Sequence, residues 1–387
     1  MLKRGLCYLI ICCLTGCISE FEPEGIVETT GLLVVEGGIM APVGTSIKLS
    51  RTKELSAILK ATPVTSAVVQ IIDENETVIA TAKQEVANDG ELTGTYNIEE
   101  EITLRPDGKY AVAIQLDGKR YRSSYQSPLS TPEIDEVDWV RKSDEEVEIR
   151  VSTHTEENKD GYYLWKYTEN WEVISQLMPE YRWNPVKEEI EQMSINGPNV
   201  YYCWDKAQSS SFILGKSDKL ETNAIKNKVI HTIEKGGTRL SYLYSIQVTQ
   251  CAIQQDAYIY FDNLQKNVAE TGSIFAPQPT EMEGNIVCLS DPEEPVIGYV
   301  YVSSATQKRI FIDAADVPGM IDIMDCSDNM EPIYNRPKDP EDGYRHGFGI
   351  NIMQGDYVVS YRPLRCVDCT MRGGFKVKPD FWPNHHQ

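Results

Sequence analysis

The sequence predicts a mainly β chain: two immunoglobulin- or fibronectin-like β-sandwich modules, one amphipathic helix and a disulfide-braced C-terminal region. Apolar side chains alternate in short runs between turn residues, first over residues 31–130 and again within 131–387. One stretch, 254–270, instead repeats its apolar residues at helical spacing. Six cysteines fall after residue 202, in a chain that opens on an export signal.

That signal is read from the first residues. Lys3 and Arg4 precede an apolar run, Leu6 to Leu14, too short to span a membrane and suited to a signal-peptide core. Leu14-Thr15-Gly16-Cys17 reads as a bacterial lipoprotein cleavage site. The expectation is that residues 1–16 are removed, Cys17 carries a lipid, and 17–30 is a flexible tether. Glu20, Glu22 and Glu24 after Cys17 resemble the surface-export signal of Bacteroidota lipoproteins; the alternative is a plain acidic linker.

The first sandwich is expected over 31–130. Leu32 to Gly37 is a buried-type strand, and Val68 to Ile72 and Val78 to Ala82 flank a turn at Asp73-Glu74-Asn75. Tyr110, Val112, Ile114 and Leu116 share one face and end at Asp117-Gly118, a hairpin signal because a type I′ turn needs positive φ at both central residues. With Gly94-Thr95-Tyr96 and Gly108-Lys109-Tyr110, the segment resembles prealbumin-like or immunoglobulin-like modules of bacterial outer-membrane proteins. Ser127-Pro128 and Thr131-Pro132 read as a linker.

The second sandwich starts with Val147, Ile149 and Val151 alternating with polar residues. An aromatic strand, Tyr162 to Tyr167, follows, and Leu240, Tyr242, Tyr244, Ile246 and Val248 alternate again. Trp171 to Asn199 between them reads as an irregular insertion. Ala257, Phe261, Leu264 and Val268 form the stripe of a helix that Gly272 closes, expected to dock on this sandwich. Tyr299 to Val302 and Arg309 to Ile312 read as paired strands.

Cysteine chemistry follows from the exported address. Cys7, Cys12 and Cys13 leave with the signal, and Cys17 takes the lipid. Cys203, Cys251, Cys288, Cys326, Cys366 and Cys369 are expected to form three disulfides, with the pairing open. Cys366 and Cys369 read as structural rather than as half a zinc site or a redox pair, because further ligands and the βαβ context are missing. The balance of 37 Lys plus Arg against 58 Asp plus Glu argues against nucleic acid as a partner and against lying flat on anionic lipid.

No catalytic motif and no metal site emerge. Gly215-Lys216-Ser217 is not a phosphate-binding loop, since Ser210 stands where the motif needs glycine. His154 and His231 stand alone and read as ordinary surface. The acidic groups Asp322, Asp325, Asp328 and Asp339, Glu341, Asp342 lack EF-hand spacing, so solvated loops are favoured over structural calcium. No cofactor beyond the lipid on Cys17 is expected.

Several elements in order carry a family resemblance: Leu33-Val34-Val35-Glu36-Gly37, Cys203-Trp204, the helix, Pro277-Gln278-Pro279, Gly284-Asn285-Ile286, Gly298-Tyr299, and Cys366 and Cys369 followed by Pro379-Asp380-Phe381-Trp382. The chain resembles the Bacteroidota lipoprotein family known only as domain of unknown function 4249, whose members are typically encoded beside TonB-dependent transporters. The resemblance implies a surface-exposed outer-membrane lipoprotein, a non-enzymatic accessory subunit of an outer-membrane β-barrel complex. It supplies no catalytic residues. The alternatives are a stand-alone glycan- or surface-binding lipoprotein and an envelope hydrolase of unfamiliar design.

Overall fold

The computed structural model describes residues 31–52, 61–87, 90–155, 161–193, 200–209, 212–217, 223–270, 284–320, 326, 341, 344, 348–354 and 357–384. The expected signal, Cys17, the tether, Gly272 and Pro277-Gln278-Pro279 lie outside these residues. Where apolar residues alternate, strands form. The first nine are β1 (Leu33–Ala41), β2 (Thr45–Arg51), β3 (Thr62–Pro63), β4 (Val68–Asp73), β5 (Val78–Thr81), β6 (Lys83–Val86), β7 (Leu92–Ile98), β8 (Tyr110–Leu116) and β9 (Lys119–Ser123). β8 and β9 join through Asp117 and Gly118, both at positive φ, as the Asp-Gly signal requires. At the β4–β5 turn the Asp73 carboxylate accepts the backbone N–H groups of Asn75 and Thr77.

The second region supplies β10 (Ile134–Arg141), β11 (Glu146–His154), β12 (Tyr162–Ile174), β13 (Tyr181–Asn184), β14 (Glu189–Gln192), β15 (Tyr202–Gln208), β16 (Ile213–Lys216), β17 (Ala224–Glu234) and β18 (Leu243–Ala252). Helix α1 (Gln255–Glu270) follows, then β19 (Ile286–Cys288), β20 (Val296–Asp313), β21 (Phe348–Gln354) and β22 (Tyr357–Pro363). The protein is thus mainly β and built from packed sheets, with one long helix among the described residues. No described helix is long and apolar enough to cross a membrane.

Three expectations are corrected. Residues 31–130 do not complete the first sandwich. β1 takes the first half of β20 as a parallel neighbour, Leu33 opposite Val296 through Ala41 opposite Ser304, and β9 takes β19. Ile286, Cys288, Val300 and Val302 accordingly lie in the first core, with Val35, Leu49, Ile71 and Ile114. Tyr299 to Val302 and Arg309 to Ile312 are not paired strands. They are two halves of β20, which continues past β1 to pair antiparallel with β18. One alternating apolar run looks the same whether it ends in a turn or carries straight on. The supposed irregular insertion after Trp171 is the end of β12 followed by the β13–β14 hairpin, closed by Glu191, whose carboxylate accepts from Arg182, Asn184 and Lys187.

Through β20 the two modules share a single sheet, running β15-β12-β18-β20-β1-β2-β7-β6. The second core lies between the second module's part of that sheet and the three-stranded sheet β10-β11-β17, around Trp165, Val151, Tyr244 and Ile246. Helix α1 covers the seam rather than the second sandwich alone. Ala257, Tyr260 and Phe261 pack on Leu164 and Cys251 from one module and on Met40, Tyr299 and Tyr301 around β1 and β20. Gly38 leaves room for the Tyr301 ring, since a Cβ there would lie 2.5 Å from it. The linker is pinned as well. The Thr131 hydroxyl accepts the Ala252 N–H, and the Pro132 carbonyl accepts from Gln250 and Thr306.

The elements of the family resemblance meet in two places. Val35 pairs with Gly298, whose φ of 138° suits glycine and whose Cβ, if present, would lie 2.0 Å from the Val35 carbonyl oxygen. Beside it, the Asn285 side chain bonds both backbone groups of Val300. At the other end, Cys203 is bonded to Cys369 and Trp204 pairs with Phe375. The C-terminal segment then lies on the sheet, where Trp382 Nε1 donates to buried Glu172 at 2.7 Å and Arg309 stacks on Phe381.

Candidate functional site

Along the seam the shared sheet exposes a polar face, and a cleft of about 630 Å³ opens there, within the size range of ligand sites. Strand register builds one side of it. Glu36 on β1 pairs with Lys48 on β2, which pairs with Thr95 on β7. Ser46 and Asn97 make the adjacent row, and Thr93 and Glu85 complete this side. The second module contributes Lys166, Gln208, Ser209 and Phe212.

The charges are not equivalent. Lys48 Nζ stands 3.9 Å from the Glu36 carboxylate, and the Glu85 carboxylate accepts the Thr93 hydroxyl at 2.9 Å. Lys166 has neither a carboxylate at ion-pair distance nor a hydrogen-bond acceptor among the described residues; its ammonium lies 5.8 Å from the centre of the Phe212 ring. Its position explains the isolation. Trp165 and Tyr167 point into the second core, so Lys166 between them points to the other face, half-buried. Burial pushes its pKa down. A smaller cavity of about 200 Å³ lies by Trp183, Ile350 and Val367, below the usual range of ligand sites.

A second constellation lies inside the sandwich. Glu169 follows the same inward parity as Trp165 and Tyr167 and is buried. Its Oε1 accepts from His231 Nε2 at 3.0 Å, Arg239 Nε at 3.0 Å and the Tyr244 hydroxyl at 2.8 Å. The Tyr167 hydroxyl and His231 Nδ1 share a hydrogen bond of 2.8 Å. A carboxylate only accepts, so His231 Nε2 carries a proton. Burial pushes the Glu169 carboxyl up, but the hydrogen bond and charge of His231, then Arg239 and Tyr244, overcome it, and its pKa ends below the usual value. Arg239 also stacks on Trp171. Both ring nitrogens of His231 are engaged, and the group ties strands β12, β17 and β18 together.

The sequence-predicted residues fall as follows. Cys203 pairs with Cys369 and Cys326 with Cys366. Cys251 and Cys288 are buried free thiols, which corrects the expected three bridges. Cys288 sits in the first core and Cys251 under helix α1, each as a small apolar filler. Cys366 and Cys369 are bonded, but to other partners. His231 is no surface residue, whereas His154 is exposed and bonded to Asp135. Lys216 ends the edge strand β16, and Ser210 lies outside the described residues. So do Cys17, Asp322, Asp325, Asp328, Asp339 and Asp342. Among the described residues no cluster of three or more His, Cys, Asp or Glu is arranged to hold a metal. The sequence reading missed Lys166 and Glu169. Strand parity between Tyr163 and Trp171 was the available signal, since it sends Glu169 inward and Lys166 outward.

Fold and site define a two-module β-sandwich protein with a polar cleft along the seam of a shared sheet. The chain belongs to the family described as Domain of unknown function (DUF4249), whose model matches residues 18–309. No curated protein matches it. Among solved structures it is similar to the chicken CNTN1 FN1–FN3 domains, at 12% identity and a TM-score of 0.16, covering 57% of this chain and 62% of that one. The chain thus spans less than two thirds of that protein's length.

Proposed function

We propose that this protein is a lipid-anchored, surface-exposed outer-membrane lipoprotein, a non-enzymatic binding subunit that works beside an outer-membrane β-barrel of the TonB-dependent transporter class. The observation that carries the binding role is the polar cleft, set on a sheet shared by both modules and lined by hydroxyl, amide and charged groups. The non-enzymatic reading is supported by the Glu169–His231 group, in which the histidine's two nitrogens are both taken up in holding strands together. The Leu14 to Cys17 signal supports the lipid anchor. The family resemblance supports the barrel partner. Anchoring both proteins to one membrane raises their effective concentration, so a modest interface suffices.

The test is affinity purification of the full chain from detergent-solubilised envelopes, with Cys17 intact and as Cys17→Ser. A barrel transporter should co-purify with the first and be depleted from the second, which should also leave the membrane fraction. If no barrel protein accompanies the intact lipoprotein, the accessory reading is wrong.

A further inference from the structure

The side chains of the cleft define a ligand chemistry. Ser46 and Thr95 present hydroxyls, Asn97 and Gln208 present amides, and Phe212 is the one large apolar side chain in the lining. A peptide would need apolar recesses for its side chains, alternating along an extended backbone. This lining has none to offer beyond one ring. Rows of hydroxyl and amide groups beside a single aromatic ring suit instead a ligand with hydroxyls around its rim and a C–H face.

The charges narrow the class further. Glu36 has Lys48, Glu85 has Thr93, and Lys166 alone has no carboxylate at ion-pair distance among the described residues. A partly desolvated ammonium without an acceptor is a cost that an anionic group on a ligand would offset. That anion should carry a single charge. Two glutamates line the same cleft, and the whole chain carries a formal net charge of −21, so a polyanion is repelled. Phosphate, with nearly two charges, is commonly gripped by arginines or backbone N–H groups, and the lining includes no arginine.

We infer that the cleft binds an oligosaccharide bearing a carboxylate, with Lys166 pairing to the acid, the hydroxyl and amide rows of β2 and β7 bonding the sugar hydroxyls, and Phe212 packing on a sugar face. This assignment rests on the reading of the chain as a binding subunit and names what it binds.

The experiment is calorimetric titration of the full chain in detergent with short, otherwise neutral oligosaccharides that carry a single galacturonate, glucuronate, mannuronate or sialic acid residue. The methyl esters of the same sugars, an acidic tripeptide and inorganic phosphate are run beside them. At least one acidic sugar should bind, and its ester about tenfold or more weaker, the worth of a charge-assisted hydrogen bond. Lys166→Met should bring the acid down to the affinity of the ester and leave the ester unchanged, which also shows that the variant is folded. Lys166→Arg should retain part of the preference. Thr95→Val should weaken acid and ester together. The inference is overturned if no acidic sugar binds, if Lys166→Met leaves the preference for the acid intact, or if the tripeptide or phosphate binds more tightly. A barrel that co-purifies while every sugar fails removes the ligand and leaves the accessory reading standing; sugar binding without a barrel does the reverse.

Discussion

Glu169→Leu is a direct test of how the second sandwich is held. The carboxylate oxygen accepts three donors, from His231, Arg239 and Tyr244. Arg239 is 39% exposed and can turn to water, whereas Tyr244 is fully buried and the His231 side chain is 17% exposed. Leucine fills a similar volume and accepts nothing. The Tyr244 and His231 donors lose their acceptor at about 1–3 kcal/mol each, so a loss of about 2–6 kcal/mol is expected, in line with breaking a buried pair from one side. Urea unfolding followed by tryptophan fluorescence reads this as a midpoint lower by roughly 1 M, for an m-value of about 3 kcal/mol/M. The pH dependence has a definite sign. The folded carboxyl titrates below the ordinary 4.5, so its contribution is complete above that value and fades as pH falls through the folded pKa. The gap between native protein and variant should therefore narrow on acidification. A variant within 1 kcal/mol of the native protein at pH 7, or a gap that widens with acid, refutes the network's role.

Two further outcomes are expected. Peptide mapping without reductant should recover Cys203 joined to Cys369 and Cys326 joined to Cys366, with Cys251 and Cys288 alkylated only after denaturation; a bridge between Cys251 and Cys288 would contradict the two-core placement. Phe261→Ala removes the ring that packs on Phe212, Tyr299 and Tyr301, and should cost about 3–5 kcal/mol, with hydrogen-exchange protection falling in α1 and in the seam strands of both modules. Loss confined to the second module would place the helix there alone.

Much of the strand content is legible in the residues. Tyr110 to Leu116 with Asp117-Gly118 gives a strand, its face and its turn, because period-2 burial and positive φ are local properties. The stripe at Ala257 and Phe261 likewise gives the helix. What covers what is not local. Nothing near Leu33 says that its neighbour is Val296, and nothing in the run from Val296 to Asp313 says that one half belongs to each module. The cysteines mislead for a related reason. Export favours bridges, but Cys251 and Cys288 fall at core positions of their strands, where a thiol packs as a small apolar group. The cleft was the least legible part, since Lys166, Lys48 and Thr95 lie on strands far apart in sequence, and only register brings them to one face.

The shared strand β20 also fixes when the molecule can fold. In most multidomain chains the N-terminal unit closes while the rest is still being made. Here the first core waits for Val300 and Val302, and β1 has no partner on one side until residues 296–304 arrive. Until then the edge of β1 and the apolar face of β9 are open to wrong pairing. The contacts that end this exposure are among the longest-range in the chain, which makes closure slow. A fragment cut at residue 130 should therefore be prone to aggregate rather than stand as a small stable domain. The order of synthesis and the order of closure therefore differ: β1 is made first but gains its second neighbour only with residues 296–304, after strands β2 to β19 have been made.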